Sequence, residues 1–340
     1  MNSEEMDKAE RSFSLSDSRS MLKHTVWAFI AIVVVVFLVL AVVSEVGKLP
    51  KIDWSFEPGW LVLAFVALVV FQGMHAETWR RILHQLHGDI PPRRGWVIWN
   101  VSLLARYVPT QVMLAVTRVG MSEREGIPKR ITISSIVYEF ALVTAASVVV
   151  AAWGIMQLPS LHSSPWRFLI LLVPIVALAC LHPAPFSRVS TFLLHRLKAE
   201  RLERTLPFRT VLVFAAVYVL SFLMAGVGVL CVTRSLHSVD AADIPLVLSA
   251  WSVGYAGALL AFFVPGGLGV REGAMAAVLS IALPTGVAIA VAVVTRLAQT
   301  GIELLYAGGS VLYARRMPEL EGSADKKVDV SAKEPGVPIS

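Results

Sequence analysis

The chain alternates between long apolar runs and short polar ones, and the lengths of the apolar runs decide most of its architecture. A helix that crosses the hydrocarbon of a bilayer needs about 20 mainly apolar residues. Six runs meet that need, over residues 25–47, 59–79, 131–158, 166–182, 210–233 and 284–312. Two further apolar regions, 95–117 and 244–283, are interrupted. The first carries Arg106-Tyr107-Val108-Pro109-Thr110-Gln111 at its centre, which leaves arms of about eleven and six residues, too short to cross alone. The second contains Phe262-Phe263-Val264-Pro265-Gly266-Gly267-Leu268-Gly269-Val270-Arg271-Glu272-Gly273, a helix breaker, four glycines and an adjacent Arg-Glu pair. Irregular backbone at membrane depth is tolerated only where protein or a water-filled cavity covers it. The pattern predicts an all-α polytopic membrane protein with about six full transmembrane helices and two Pro/Gly-broken re-entrant hairpins.

Basic residues orient this layout. Cytoplasmic loops carry an excess of Lys and Arg, and here 23 of the 30 fall on one side, four on the other and three inside apolar segments. Arg93 and Arg94 precede the first interrupted segment, and Arg118, Arg124, Lys129 and Arg130 follow it. A hairpin that enters and leaves from the cytoplasm keeps both clusters inside; a full crossing, the alternative, puts one of them outside. With both ends of the chain cytoplasmic, 244–283 enters and leaves from the outer side. The order span, span, hairpin, span then occurs twice with opposite orientation, and the predicted units are 1–24 (disordered cytoplasmic tail), 25–158 (first membrane half), 159–316 (second half) and 317–340 (disordered cytoplasmic tail). A shift of 156 residues carries Val108-Pro109 onto Val264-Pro265 and the second span onto the fifth. Two Pro-interrupted segments at matching places in two halves point to a transporter's binding site. The basic stretch 183–208 reads either as a surface helix through Phe192, Leu193, Leu197 and Leu202 or as a plain linker.

Composition removes other classes. Apolar residues make up 56% of the chain and charged ones 16%, with a mean hydropathy of +0.69, where soluble domains run near 45–50% and a quarter. The polar N-terminal stretch lacks the form of a signal peptide. The net charge of +6 belongs to the inner loops, so no nucleic-acid partner is expected. Cys180 and Cys231 fall at opposite ends of their helices and the eight histidines are scattered, so neither a disulfide, a metal site nor a cofactor is expected.

Ionisable groups at membrane depth are functional candidates by default. The helix expected to start near Val270 aims its free N–H groups at the Pro265–Gly269 bend, an arrangement suited to anions, and Arg271 adds a full charge. The absence of Gly-Lys-Ser/Thr excludes a Walker loop, and the absence of a preceding strand excludes a dinucleotide fingerprint. Glu139 shares a helical face with Thr132 and Ser135, while Arg296, Gln299, Thr300 and Glu303 form a stripe on the last span. Each isolated charge at a helix centre costs roughly 2.5–3.5 kcal/mol. Arg106, Glu139, Arg271, Glu272, Arg296 and Glu303 are therefore expected to pair with one another or line a wet cavity, with Glu139, Arg296 and Glu303 as partners for the charges of the second break. A purely structural role for these pairs, holding helices together, is the plain alternative.

The run Val264-Pro265-Gly266-Gly267-Leu268-Gly269-Val270-Arg271-Glu272-Gly273 resembles a motif of the flippase-like membrane domain of lysylphosphatidylglycerol synthases and their stand-alone relatives. Tyr107-Val108-Pro109, Arg118 and Glu125-Gly126-Ile127 resemble that family's earlier motif, Tyr138-Glu139 its next acidic helix, and Thr295-Arg296-Leu297 the arginine of its final helix. Thr110 stands where a glycine often follows the proline, and Phe140 where an arginine is frequent. The resemblance implies a cell-membrane protein that moves a phospholipid or polyprenyl-phosphate-linked lipid between leaflets. In that reading Arg106, Pro109, Arg118, Pro265, Gly266, Gly267, Gly269, Arg271 and Arg296 form the headgroup site, and Glu139, Glu272 and Glu303 balance charge or carry protons. A short polar tail follows Arg316, so aminoacyl-lipid synthesis is not carried over and no enzymatic role is expected. The rival is a non-transporting partner of a glycosyltransferase or lipid-modifying enzyme, docked through 183–209 or the tail. An enzyme acting on lipid is a third reading, for which no nucleophile–base pair or metal-ligand set stands out.

Overall fold

The computed structural model describes residues 57–105, 113–158, 164–180, 206–260 and 269–314. The predicted first span at 25–47, both tails, most of the basic stretch 183–208, and the two breaks at 106–112 and 261–268 lie outside the described residues. The described elements are helices α1 (Pro58–Gln85), α2 (Pro92–Leu104), α3 (Met113–Arg124), α4 (Lys129–Ile155), α5 (Trp166–Cys180), α6 (Phe208–Leu236), α7 (Ile244–Leu260), α8 (Val270–Leu279) and α9 (Thr285–Ala314). Proline marks most of their starts: Pro58 and Pro92 begin α1 and α2, Pro128 and Pro207 precede α4 and α6, and Pro284 precedes α9. The missing proline N–H costs nothing there, because the first turn has no intrahelical acceptor for it.

Four of these helices, α1, α4, α6 and α9, are long and apolar enough to span a bilayer, and the protein is an all-helical, multi-pass membrane protein. The fourth predicted span appears as the 15-residue α5, about 22 Å long, with exposed Phe168, Leu169, Ile175 and Val176. Each interrupted segment contributes two helices, α2 and α3 in the first half and α7 and α8 in the second. The 156-residue shift carries α1, α2, α3 and α4 onto α6, α7, α8 and α9. Packing follows the same correspondence: α2 lies on α9 as α7 lies on α4, and α1 lies on α4 as α6 lies on α9. Each broken segment therefore packs on the last helix of the other half, with α1 against α6 at the centre.

Close approach to α7 depends on glycine. A Cβ on Gly226 of α6 would lie 2.0 Å from the Leu248 carbonyl oxygen, and one on Gly154 of α4 would lie 1.8 Å from Ser249 Oγ. Burial is inverted relative to a soluble protein. Val62, Phe65, Val66, Leu212, Val213 and Leu220 face outward, while Gln72, His75, Asn100, Arg118, Arg271, Arg296 and Glu303 are buried.

Candidate functional site

The residues of the second break lead into α8, whose start lies among the described residues. Gly269 has φ +81°, a left-handed conformation that glycine adopts at little cost, and from it the chain enters α8 at Val270, where the sequence places it. The Gly269 N–H donates to Glu272 Oε2 at 2.7 Å. This corrects one expectation: the anion position at the N-terminus of α8 is already filled by the chain's own carboxylate. The physical reason is spacing, since an acidic residue at the third helical position folds back onto the N-terminus.

The other Glu272 oxygen, Oε1, lies 3.1 Å from Arg296 Nε on α9. Arg296 is 6% exposed, and its Nε and Nη1 lack an aligned hydrogen-bond acceptor among the described residues. A guanidinium carries five donors in a fixed fork, so this one retains capacity for an oxyanion. Arg271, 9% exposed, places its guanidinium carbon 3.8 Å from the Trp251 ring centroid and 5.8 Å from that of Tyr255. Gly254 makes this fit possible, because a Cβ there would lie 2.9 Å from the Arg271 carbonyl oxygen and 3.3 Å from its Cγ.

The stripe on α9 is buried along its whole length, at Arg296, Gln299, Thr300 and Glu303. It continues into the first half. Gln299 Nε2 donates to Glu303 Oε1 at 3.1 Å and to Gln72 Oε1 on α1 at 2.9 Å. Gln72 Nε2 makes a looser 3.5 Å contact with Asn100 Oδ1 on α2, and Asn100 Nδ2 donates to the Trp96 carbonyl at 2.9 Å. Glu303 therefore joins a polar chain that runs across three helices.

Glu139 has a different partner from the one expected. Its Oε2 accepts from Arg118 Nη1, and its Oε1 accepts from Trp99 Nε1 at 2.6 Å. Arg118 Nε donates to Ser102 Oγ at 2.9 Å, and the guanidinium lies over Trp79 and Trp99 at 4.9 and 5.8 Å. Short connections explain the pairing, since α3 leads straight into α4 and packs against both α2 and α4. Arg118 is 1% exposed, an enclosed group committed to protein partners. The two ion pairs occupy corresponding places, short helix to following span, with the signs exchanged between halves.

An aromatic cluster separates the pairs, and His75 is its centre. The imidazole Nε2 lies 3.0 Å from Ser221 Oγ on α6, and the ring packs against Phe71, Trp99, Tyr218 and Phe222. Phe222 meets Tyr255, the ring beneath Arg271, at 5.3 Å. Sequence reasoning missed His75, Gln72 and Asn100. The available signal was an ionisable and an amide side chain inside an otherwise apolar span, a pattern that marks function by default. Arg106, Pro109, Pro265, Gly266 and Gly267 lie outside the described residues. Among those described, no cluster of His, Cys, Asp and Glu has the makings of a metal site, and Cys231 is a buried free thiol.

Chemically, the region offers one buried cation, Arg296, with spare donor capacity among the described residues, carboxylates that balance buried charge, and a polar route between the halves. Residues 26–306 match the family described as lysylphosphatidylglycerol synthase TM region. No curated protein matches the chain.

Proposed function

The chain belongs to the lysylphosphatidylglycerol synthase transmembrane family, and on that premise we propose that it is a flippase-like transporter for a phospholipid or polyprenyl-phosphate-linked lipid. The observation that carries this reading is the Glu272–Arg296 pair at the start of α8, a buried cation whose Nε and Nη1 have no aligned acceptor among the described residues. A lipid phosphate presents the same oxyanion chemistry as Glu272. On entering, it takes the carboxylate's place at the Gly269 N–H and on the Arg296 guanidinium, as anions do at helix N-termini and arginine forks. Arg271 adds positive charge beside that position. Glu272, displaced, takes up a proton or turns toward water, and it returns when the headgroup leaves, which keeps the empty site neutral.

Only the headgroup needs the polar path; the acyl chains stay in the bilayer. The buried chain Glu303–Gln299–Gln72–Asn100 gives that path a polar continuation into the first half. No covalent step is involved, in keeping with a transporter rather than an enzyme. The setting is a cell membrane with both chain ends cytoplasmic. Reconstitution into vesicles with a headgroup-labelled phospholipid or polyprenyl phosphate tests the reading through the rate at which label crosses between leaflets. Transport above the protein-free rate is expected for one of these lipids. Equality with empty vesicles for both defeats the proposal and leaves the docking-partner role in its place.

A further inference from the structure

A second site lies on the lipid-facing side of α1, α2 and α9. It is a cleft of roughly 660 Å³, within the range of about 300–1,000 Å³ that encloses small ligands. Its back wall is Trp96 stacked on Tyr306, centroids 6.2 Å apart and planes 28° from parallel. Both polar tips are turned away into the protein: Trp96 Nε1 donates to Glu77 Oε2 at 3.0 Å, and Tyr306 Oη donates to the Val69 carbonyl at 3.1 Å. What faces the cleft is therefore ring surface. Its rim is apolar and open, with Phe65 44% and Leu305 64% exposed, and on a membrane-spanning wall that exposure is to acyl chains.

One end is cationic. Arg93, at the start of α2, lines the cleft beside Tyr313, its guanidinium carbon 5.7 Å from the ring centroid, and Ser310 lines the same end. Arg93 belongs to the basic cluster that the charge distribution assigns to the inner side. An apolar slot that opens sideways to lipid, with an arginine at the membrane surface, has the polarity of an anionic lipid. Space has been kept for an occupant: Gly309 lines the cleft, and a Cβ there would meet nothing within 4 Å. By contrast, a Cβ on Gly73, behind the wall, would press on Trp96 at 3.3 Å.

We infer that this groove seats one acyl chain of an anionic glycerophospholipid of the inner leaflet, with Arg93 holding its phosphate. The carbonyl of Trp96 accepts from Asn100, the end of the buried polar chain, so the groove is one layer from the path proposed above. The inference rests on that reading as its point of entry, while binding is measured apart from transport.

The test uses the purified full chain with native mass spectrometry of retained lipid, comparing phosphatidylglycerol with phosphatidylcholine of the same acyl composition. Wild type is expected to favour phosphatidylglycerol about tenfold or more. Gly309→Leu fills the groove and lowers retention of both lipids, that of phosphatidylglycerol by about tenfold. Leu305→Trp fills it from the rim and serves if Gly309→Leu unfolds. Arg93→Gln removes the preference while still retaining both lipids. Arg296→Gln keeps the preference for phosphatidylglycerol over phosphatidylcholine even where it stops transport, so failure of the groove and failure of the transport reading are separately visible. Undiminished retention in both groove-filling variants, an unchanged preference in Arg93→Gln, or capture of undecaprenyl phosphate in place of phosphatidylglycerol overturns the assignment.

Discussion

Glu272 and Arg296 meet at 3.1 Å between α8 and α9, and the same carboxylate caps the N-terminus of α8 through its other oxygen. Arg118 and Glu139 join α3 to α4 at the matching place in the first half, with the charges reversed. Each broken segment is thus tied to the following span by one buried ion pair, and together they bracket the aromatic cluster around His75.

Breaking a buried pair by removing one partner costs about 3–5 kcal/mol, because the survivor is left uncompensated. Glu272→Gln and Arg296→Gln are each expected to destabilise the detergent-solubilised protein by that order. The double variant should recover most of the loss, since no buried charge then stands alone. Thermal unfolding of the three proteins reads this directly; simple additivity of the two losses speaks against the pairing.

Arg118 makes a fork-shaped contact that lysine cannot copy. Arg118→Lys keeps the charge but gives up the bond to Ser102 and the stacking on Trp79 and Trp99. A loss of about 1.5–3 kcal/mol is expected, the range for hydrogen bonds to charged groups. The same unfolding measurement checks it, and an Arg118→Lys protein as stable as wild type contradicts the described geometry.

Much of this architecture was legible in the chain. Run lengths located α1, α4, α6 and α9 as spanning helices, and the Pro109 and Pro265 segments fall between the paired helices α2 and α3 and α7 and α8. The start of α8 at Val270 also followed from sequence, because Gly269 precedes an amphipathic run with Glu at its third position. The partner of Glu139 was not legible, since nothing in sequence spacing says that Arg118, on a different short helix, reaches it before the charges of α8 do. His75 and Gln72 were passed over because their neighbours are apolar enough to define a span by themselves. The correspondence of the halves showed in sequence as a repeated order of spans and a single repeated Val-Pro, with little further identity, because helix packing constrains side-chain size and polarity rather than identity.

Small residues set the approach of α7, and the cost of filling them is position-specific. Gly226→Ala puts a methyl 2.0 Å from the Leu248 carbonyl oxygen, and overpacking of this kind costs about 1–3 kcal/mol or more. Gly308→Ala on α9 meets nothing within 4 Å and should be neutral or stabilising by up to about 1 kcal/mol from helix propensity. Unfolding temperatures of the two variants should move in opposite directions or at least differ clearly.

The inverted arrangement predicted from the sequence puts the turn after α3 and the turn after α8 on opposite sides of the membrane. Glu123→Cys and Ile281→Cys, both at exposed positions, are to be labelled with a membrane-impermeant maleimide in a background lacking Cys180 and Cys231. In intact cells Ile281→Cys is expected to react and Glu123→Cys to react only after permeabilisation. Labelling of both from one side contradicts the inverted arrangement.

The central claim is that a lipid phosphate takes the place of Glu272 on Arg296. Its most direct measurement is the leaflet-exchange rate of headgroup-labelled lipid in vesicles, with wild type and Arg296→Gln at equal protein density. Loss of charge-assisted hydrogen bonds worth about 1.5–3 kcal/mol predicts a rate lower by about tenfold or more, with Arg296→Lys falling between. An Arg296→Gln protein that is folded and exchanges lipid at the wild-type rate contradicts the account.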